Sequence, residues 1–481
     1  MNFISVKFII FFTILITILL LLNNIKYNKE NRISNTILLL ASYLFIATAN
    51  LKFCLFIIII SIIEFFIGIG INKTKKKILC TIGVLIPLFS LLFFKYFSFF
   101  TESFYKLFKL SPIEIHVLVP IGISFFTFSV ISYVVDVYRG KYDACKNLID
   151  FSLYVAFFPK LTSGPIVKFS DFSCQLKTRT INRNNIFIGL QILLFGLGKK
   201  IVLADHLSVF VNDVYSAPNM FSSGTIWLAV LSYSLQIYLD FSGYSDMAIG
   251  LSRILGFNFK RNFNMPYLSQ NVTEFWKRWH ISLSEWLMEY LYIPLGGSRN
   301  GKIRTFINLF ITMVLGGLWH GANWTFIIWG ALHGIALCIH KIYMKCSNKS
   351  RNTFIYKIIS TFFTFLFVSF CWIFFRAENI SNAYYIIRNM FDFNIGIKQP
   401  YLWSFVSTII VIVVYILVII KNPFENQLEK SLTKENFCHV MGFYPILDLK
   451  LFWNRVIFLV YVGLIIGLAY VGQNPFIYGN F

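Results

Sequence analysis

Apolar runs follow one another along this chain, and they govern what it can become. Many windows of about 20 apolar residues occur, each long enough as a helix to cross about 30 Å of hydrocarbon. Hydrophobic residues make up 57% of the 481 positions and charged residues only 13%. Soluble domains carry about a quarter charged residues. The reading is an all-α, polytopic helical membrane protein with roughly 11–13 membrane helices, re-entrant or interfacial segments included. It is read as one membrane domain over residues 1–481, with no internal repeat and no soluble domain boundary. The first run, Phe8–Leu22, is followed by LNNIKYNKENR rather than a small-residue cleavage pattern, so it reads as a retained helix and not a signal peptide.

The net charge of +22 raises the question of nucleic acid. Lys and Arg fall in short loops between apolar runs, however, as cytoplasmic loops of membrane proteins collect them. No nucleic-acid partner is expected. The eight cysteines show no CxxC or ligand-type spacing. They read as apolar packing residues, with no disulfide framework and no metal site.

The basic loops also orient the chain. Asn23–Arg32, Asn72–Lys77 and Arg139–Asn147 all fall on the cytoplasmic side if the N-terminus faces outward. Helices are expected over Thr36–Asn50, Leu51–Ile71, Ile78–Phe94 and Val117–Tyr138, with Lys95–His116 outside. The stretch Phe151–Pro165, rich in Pro, Gly and polar residues, reads as a loop or re-entrant turn. Further spans are expected at Ile186–Leu203, Ile226–Phe241, Phe306–Trp319, Trp324–Ile342, Phe354–Phe375, Tyr401–Ile420 and Val456–Val471. Lys341–Arg351 and Lys421–Lys430 would then be cytoplasmic.

Chemistry concentrates between Asp240 and His320. The run LDFSGYSDMAIG (Leu239–Gly250) interrupts apolar sequence with two carboxylates. Asp240 and Asp246 could neutralise Arg253 or Lys260, hold a helix break or line a polar cavity, since charges inside membranes commonly pair. Next comes QNVTEFWKRWHISLSEWLMEYLYIPLGGSR. Asn271 and Glu274 have capping-box spacing. A helix starting there would carry Trp276, His280, Leu283 and Leu287 on one face, with Lys277, Ser284 and Glu285 turned away. Pro294 and Gly296–Gly297 would end it.

His320 lies in LGGLWHGANW, with Gly316, Gly317 and Gly321 around it. Glycines let backbone or substrate approach closely, and Trp319 and Trp324 would exclude water. A neutral imidazole there can take a proton from an acceptor hydroxyl as a general base. A lone membrane histidine is more often a packing residue, and no GxSxG, HExxH or Walker loop accompanies this one.

FWKRWHISLSEWLMEYLYIPLGGSR followed by LGGLWHGANWTFIIWGALHG resembles the membrane-bound O-acyltransferase (MBOAT) family. The nearest branch is bacterial polysaccharide O-acetylation, with alginate and peptidoglycan O-acetyltransferase membrane subunits. Val119–Gly140, Phe157–Phe172, Leu235–Phe257 and Trp372–Ala383 resemble the same branch in order and spacing, so the likeness covers about residues 119–383. The helix after the first histidine departs from the related D-alanylation branch. Glu289 stands where the acetylation branch more often has Asp.

The resemblance implies a catalytic role for His320 and an auxiliary one for His280. It implies acetyl-CoA as acyl-donor substrate, no bound cofactor, and a polysaccharide acceptor outside the cell membrane. It also implies a separate extracytoplasmic partner of SGNH-like fold, since the chain holds no such soluble domain. Lys277, Arg278, Arg299 and Lys302 suit the phosphates of an acyl-CoA; the competing reading of these four is cytoplasmic anchoring. A transporter would show inverted repeats and paired broken helices, which the sequence lacks. A non-catalytic envelope-complex subunit would have no use for the histidine motifs.

Overall fold

The computed structural model describes residues 3–23, 31–109, 118–120, 122–162, 164–346, 353–393, 395–413, 446–449, 451–472 and 476–477. Among these the secondary structure is helical, apart from one isolated bridge between Phe221 and Ile397. Among the described residues six helices are long and apolar enough to cross a membrane, and five shorter ones are also apolar. The chain is therefore an all-α, multi-pass membrane protein. It divides into two compact units.

The first unit comprises Met1–Leu193 and Ser245–Phe259. It holds α1 (Val6–Asn23), α2 (Arg32–Ala47), α3 (Leu51–Thr74), α4 (Lys77–Leu91), α5 (Phe97–Leu107), α6 (Ile123–Tyr138), α7 (Leu148–Ala156), α8 (Phe158–Leu161) and α9 (Phe169–Leu176). Two expectations change here. The helix expected over Ile78–Phe94 does not stop there: a π-helical turn over Leu92–Tyr96 joins α4 to α5, making one apolar helix over Lys77–Leu107. Lys95–Leu107 contains neither Gly nor Pro to stop it. Likewise Phe151–Pro165 is largely helical rather than loop. It breaks at Phe157 (ψ 105°) between α7 and α8, and every residue from Phe151 to Leu161 is buried. Broken backbone at membrane depth must be satisfied by protein. Here the Phe158 N–H donates to Ser42 Oγ at 3.3 Å.

The second unit comprises Leu194–Tyr244 and Lys260–Phe481. The helix α10 (Arg183–Leu197) enters it and continues through a π-helical turn, Gly198–Ala204, into α11 (Asp205–Ser216). Then follow α12 (Ser223–Ile254), α13 (Val272–Arg278), α14 (Ile281–Leu287), α15 (Gly301–His320), α16 (Trp324–Cys346), α17 (Phe354–Arg376), α18 (Ile380–Phe391), α19 (Leu402–Val413) and α20 (Phe452–Leu468). The polar run around Asp240 does not break its helix: α12 continues straight through it for 32 residues. The amphipathic α18 was not foreseen. Residues 414–420 of the expected Tyr401–Ile420 span, and the loop Lys421–Lys430, lie outside the described residues.

Glycines bring α15 and α16 together. A Cβ at Gly317 would lie 2.3 Å from the Phe326 carbonyl oxygen, and one at Gly330 would lie 2.4 Å from the Met313 carbonyl oxygen. Such close approach is typical of small residues at membrane helix interfaces. It fixes the end of α15, where His320 sits.

Candidate active site

The helix expected to run unbroken from Asn271 through His280 is in fact two. Asn271 caps α13, its side chain accepting the Glu274 N–H at 2.9 Å. The Glu274 carboxylate accepts the Gln270 N–H at 2.9 Å, one residue earlier than the usual capping-box closure. α13 ends at Arg278, and His280 adopts φ +42°, ψ 57° before α14 begins. This left-handed region is uncommon for any residue but glycine. Trp276, His280, Leu283 and Leu287 therefore do not share one continuous helix face.

Asn262 holds the turn in place. Its backbone carbonyl accepts the Ile281 N–H at 2.9 Å. Its side-chain oxygen accepts from the Ser282 N–H at 3.1 Å and the Ser282 hydroxyl at 2.9 Å. The same oxygen lies 3.3 Å from His280 Nδ1. An amide oxygen only accepts, so Nδ1 carries the imidazole proton and Nε2 keeps its lone pair. His280 is 0% exposed, and Nε2 has no hydrogen-bond partner among the described residues. Phe241 meets the ring edge-to-face at 4.7 Å.

His320 closes α15 and is 2% exposed. Trp319 and Trp329 stand 5.0 Å from its ring and Phe375 at 5.2 Å. Trp324, expected to flank it, is exposed instead. Its place is taken by Trp329, which α16 turns inward. Gly321 is required where it stands: a Cβ there would lie 2.1 Å from the Phe326 ring. The Trp319 ring is also 6.0 Å from His280. One tryptophan thus stands against both imidazoles that the sequence singled out.

A third buried histidine belongs to the same aromatic cluster. His333 on α16 is 0% exposed, and its Nδ1 accepts from Trp276 Nε1–H at 3.3 Å. Its ring lies 5.0 Å from Trp329, the neighbour it shares with His320. The signal was present in FIIWGALHG, where Trp329 and His333 stand four apart on one helix face.

The carboxylate expectation needs a different partner. Asp240 pairs with Lys200 at 2.5 Å, not with Arg253 or Lys260, and Lys200 also reaches Asp205 at 2.8 Å. All three are buried. The other Asp240 oxygen accepts the Ile477 N–H at 2.9 Å. Asp240 thus anchors α12 one residue before Phe241, the ring that His280 rests on.

Of the four candidate donor-binding cations, Lys277 is exposed on α13, and Arg299 and Lys302 are exposed before and at the start of α15. Arg278 is held by Glu274 at 2.8 Å and donates to the Asn264 carbonyl at 3.4 Å. No group of three His, Cys, Asp or Glu residues able to hold a metal occurs among the described residues. The arrangement offers buried imidazoles behind aromatic walls, which suits proton transfer with water excluded.

The family model for the membrane-bound O-acyltransferases matches residues 145–380. A probable alginate O-acetylase of Pseudomonas syringae is 43% identical over 376 residues, covering 76% of this chain and 72% of the relative. The chain belongs to the MBOAT family. A peptidoglycan O-acetyltransferase of Helicobacter pylori is 36% identical over 399 residues, covering 76% of each chain. A teichoic acid D-alanyltransferase of Streptococcus thermophilus is 29% identical over 249 residues, covering 48% of this chain and 60% of the relative. This MBOAT protein is an O-acyltransferase, as its sequence motifs implied.

Proposed function

We propose that this MBOAT protein moves acetyl groups from cytoplasmic acetyl-CoA across the bacterial cytoplasmic membrane for O-acetylation of an extracytoplasmic polysaccharide. An exopolysaccharide or peptidoglycan is the acceptor, reached through a separate extracytoplasmic acetyltransferase of SGNH-like fold. The alginate and peptidoglycan activities of the relatives support the acetyl group and the acceptor class. The observation that carries the site is the packing of Trp319 against both His320 and His280, both buried.

In this reading His320 takes the proton of the hydroxyl that receives the acetyl group for relay to the partner, as its oxygen attacks the thioester carbonyl. The carbonyl–sulfur bond then breaks, and the departing thiolate takes up that proton. General-base help of this kind is worth roughly 10²–10⁴ in rate. His280 is the auxiliary residue: with Nδ1–H committed to Asn262, its Nε2 lone pair is left to hold a hydroxyl proton and orient the acceptor. Lys277, on the exposed face of α13, is suited to the donor's phosphates. Arg278, tied to Glu274, reaches them only by leaving that pair.

Replacing His320 with Ala tests the reading. O-acetyl esters on the envelope polysaccharide are expected to fall at least ~100-fold. Unchanged ester content, with the variant inserted at normal abundance, overturns it. His280→Ala is expected to give a smaller loss.

A further inference from the structure

The turn that follows His320 is tied across the site by one side chain. α15 ends at His320, and Gly321, Ala322 and Asn323 alone separate it from α16. Asn323 caps α16: its side-chain oxygen accepts the Thr325 N–H at 3.1 Å, and its backbone carbonyl accepts the Phe326 N–H at 3.2 Å. The amide nitrogen is not needed for that cap. Nδ2 instead donates to the Glu378 carbonyl at 2.7 Å, 55 positions along the chain, in the corner between α17 and α18. Phe375, three residues before Glu378, walls the His320 ring at 5.2 Å.

That corner is itself held in place. Arg376 Nη2 donates to Asn212 Oδ1 on α11 at 2.8 Å, and its guanidinium lies 5.5 Å from the Tyr215 ring. The Asn379 side chain accepts the Asn382 N–H at 2.8 Å and so starts α18. Asn323 therefore ties the short turn after His320 to a point fixed on α11. Phe326 stands between the two sides. Its ring meets Phe375 edge-to-face at 4.9 Å and fills the space beside Gly321.

Exposure changes steeply across this rim. Glu378 and Trp324 are exposed and Asn323 is half-buried, whereas Gly321, Phe326, Phe375 and His320 are buried. Closure of a site decides whether a reactive thioester meets its acceptor or water. Water could use the same base. His320 would take its proton as its oxygen attacks the thioester carbonyl. The carbonyl–sulfur bond would break and the departing thiolate would take up that proton, leaving acetate and a free thiol.

We infer that Asn323 is a positioning residue for His320: its bond to Glu378 holds the histidine's turn against Phe375 and keeps water from the thioester. This rests on the acyl-transfer reading above, in which His320 is the base.

Asn323→Ser separates the two tasks of the side chain, because serine is an equally good N-cap but is too short to reach Glu378. Two measurements on the full chain test the inference. One is the O-acetyl ester content of the envelope polysaccharide in cells, at equal abundance of inserted protein. The other is acetate released from radiolabelled acetyl-CoA by detergent-purified protein without acceptor, per folded molecule. Esters are expected to fall roughly five- to tenfold, as for the loss of one hydrogen bond, while acetate release rises. Asn323→Asp, which keeps the capping oxygen and removes only the donor, is expected to behave like the serine variant. A purely structural role would lower both products together, so a fall in esters without extra acetate overturns the inference. Unchanged esters in Asn323→Ser do the same. Adding His320→Ala is expected to abolish the extra acetate. Release that survives it would sink His320 as the base, while the rise itself would still report the lost bond.

Discussion

At φ +42°, His280 is held where most side chains are strained, so the demands of the backbone can be separated from those of the ring. Asn is enriched in left-handed conformations because its short polar side chain can bond locally, whereas a β-branched residue there is a true outlier. His280→Asn is therefore expected to keep the thermal midpoint of the detergent-solubilised protein close to the parent. His280→Val is expected to lose about 1–3 kcal/mol to backbone strain alone. Equal stability of the two would remove the strain argument. Lys200 makes a second demand at this scale. Its ammonium is set between Asp240 and Asp205. Lys200→Met leaves buried carboxylates facing each other, and removing one member of a buried pair typically costs about 3–5 kcal/mol. The expected result is poor recovery of folded protein, partly restored when Asp240→Leu is added. The two histidines were legible because rings this costly stand out in apolar sequence. The Lys200 pairing was not, because an ion pair between α12 and the turn after α10 leaves no trace in local spacing.

Among the elements, the pair α15 and α16 has the least freedom. Gly317 and Gly330 let backbone meet backbone, and His320 is the last residue of the helix so positioned. Overpacking a tight contact costs about 1–3 kcal/mol. Gly330→Ala must push the Met313 carbonyl away, which shifts the α15 end against Trp329. The expectation is a drop in ester formation larger than the drop in thermal stability would explain, read from purified protein at a temperature where both forms are folded. If activity simply tracks the folded fraction, the glycines serve stability alone. Run length located helices at Leu51–Ile71, Trp324–Ile342 and Phe354–Phe375 that are long and apolar enough to span, since hydrocarbon thickness sets that length directly. It failed where a break depends on a distant partner: Trp279 and His280 contain no Gly or Pro, and the turn between α13 and α14 is imposed by Asn262, eighteen positions away. It failed in the opposite sense at Asp240, where buried pairing lets α12 continue through a run that looks like an interruption.

For the molecule as a whole, the acyl group must pass from one side of the membrane to the other, so the orientation of the catalytic helices decides what each face can bind. Basic residues before α15 and after α16 favour one side by the positive-inside bias. α15, α16 and α17 then cross in turn, leaving α18 on the far side. Lys302, at the start of α15, is exposed, and Tyr384 on α18 is 59% exposed. Single cysteines at these two positions, in a chain with its native cysteines replaced, separate the faces. A membrane-impermeant maleimide applied to cells with a permeabilised outer envelope and an intact cytoplasmic membrane is expected to label Tyr384→Cys and spare Lys302→Cys. Lysis should expose both. The reverse pattern would put the basic loops, and with them Lys302, on the acceptor side. A donor held by those cations could then no longer arrive from the cytoplasm, and the direction of acyl flow inferred from the loops would have to be abandoned.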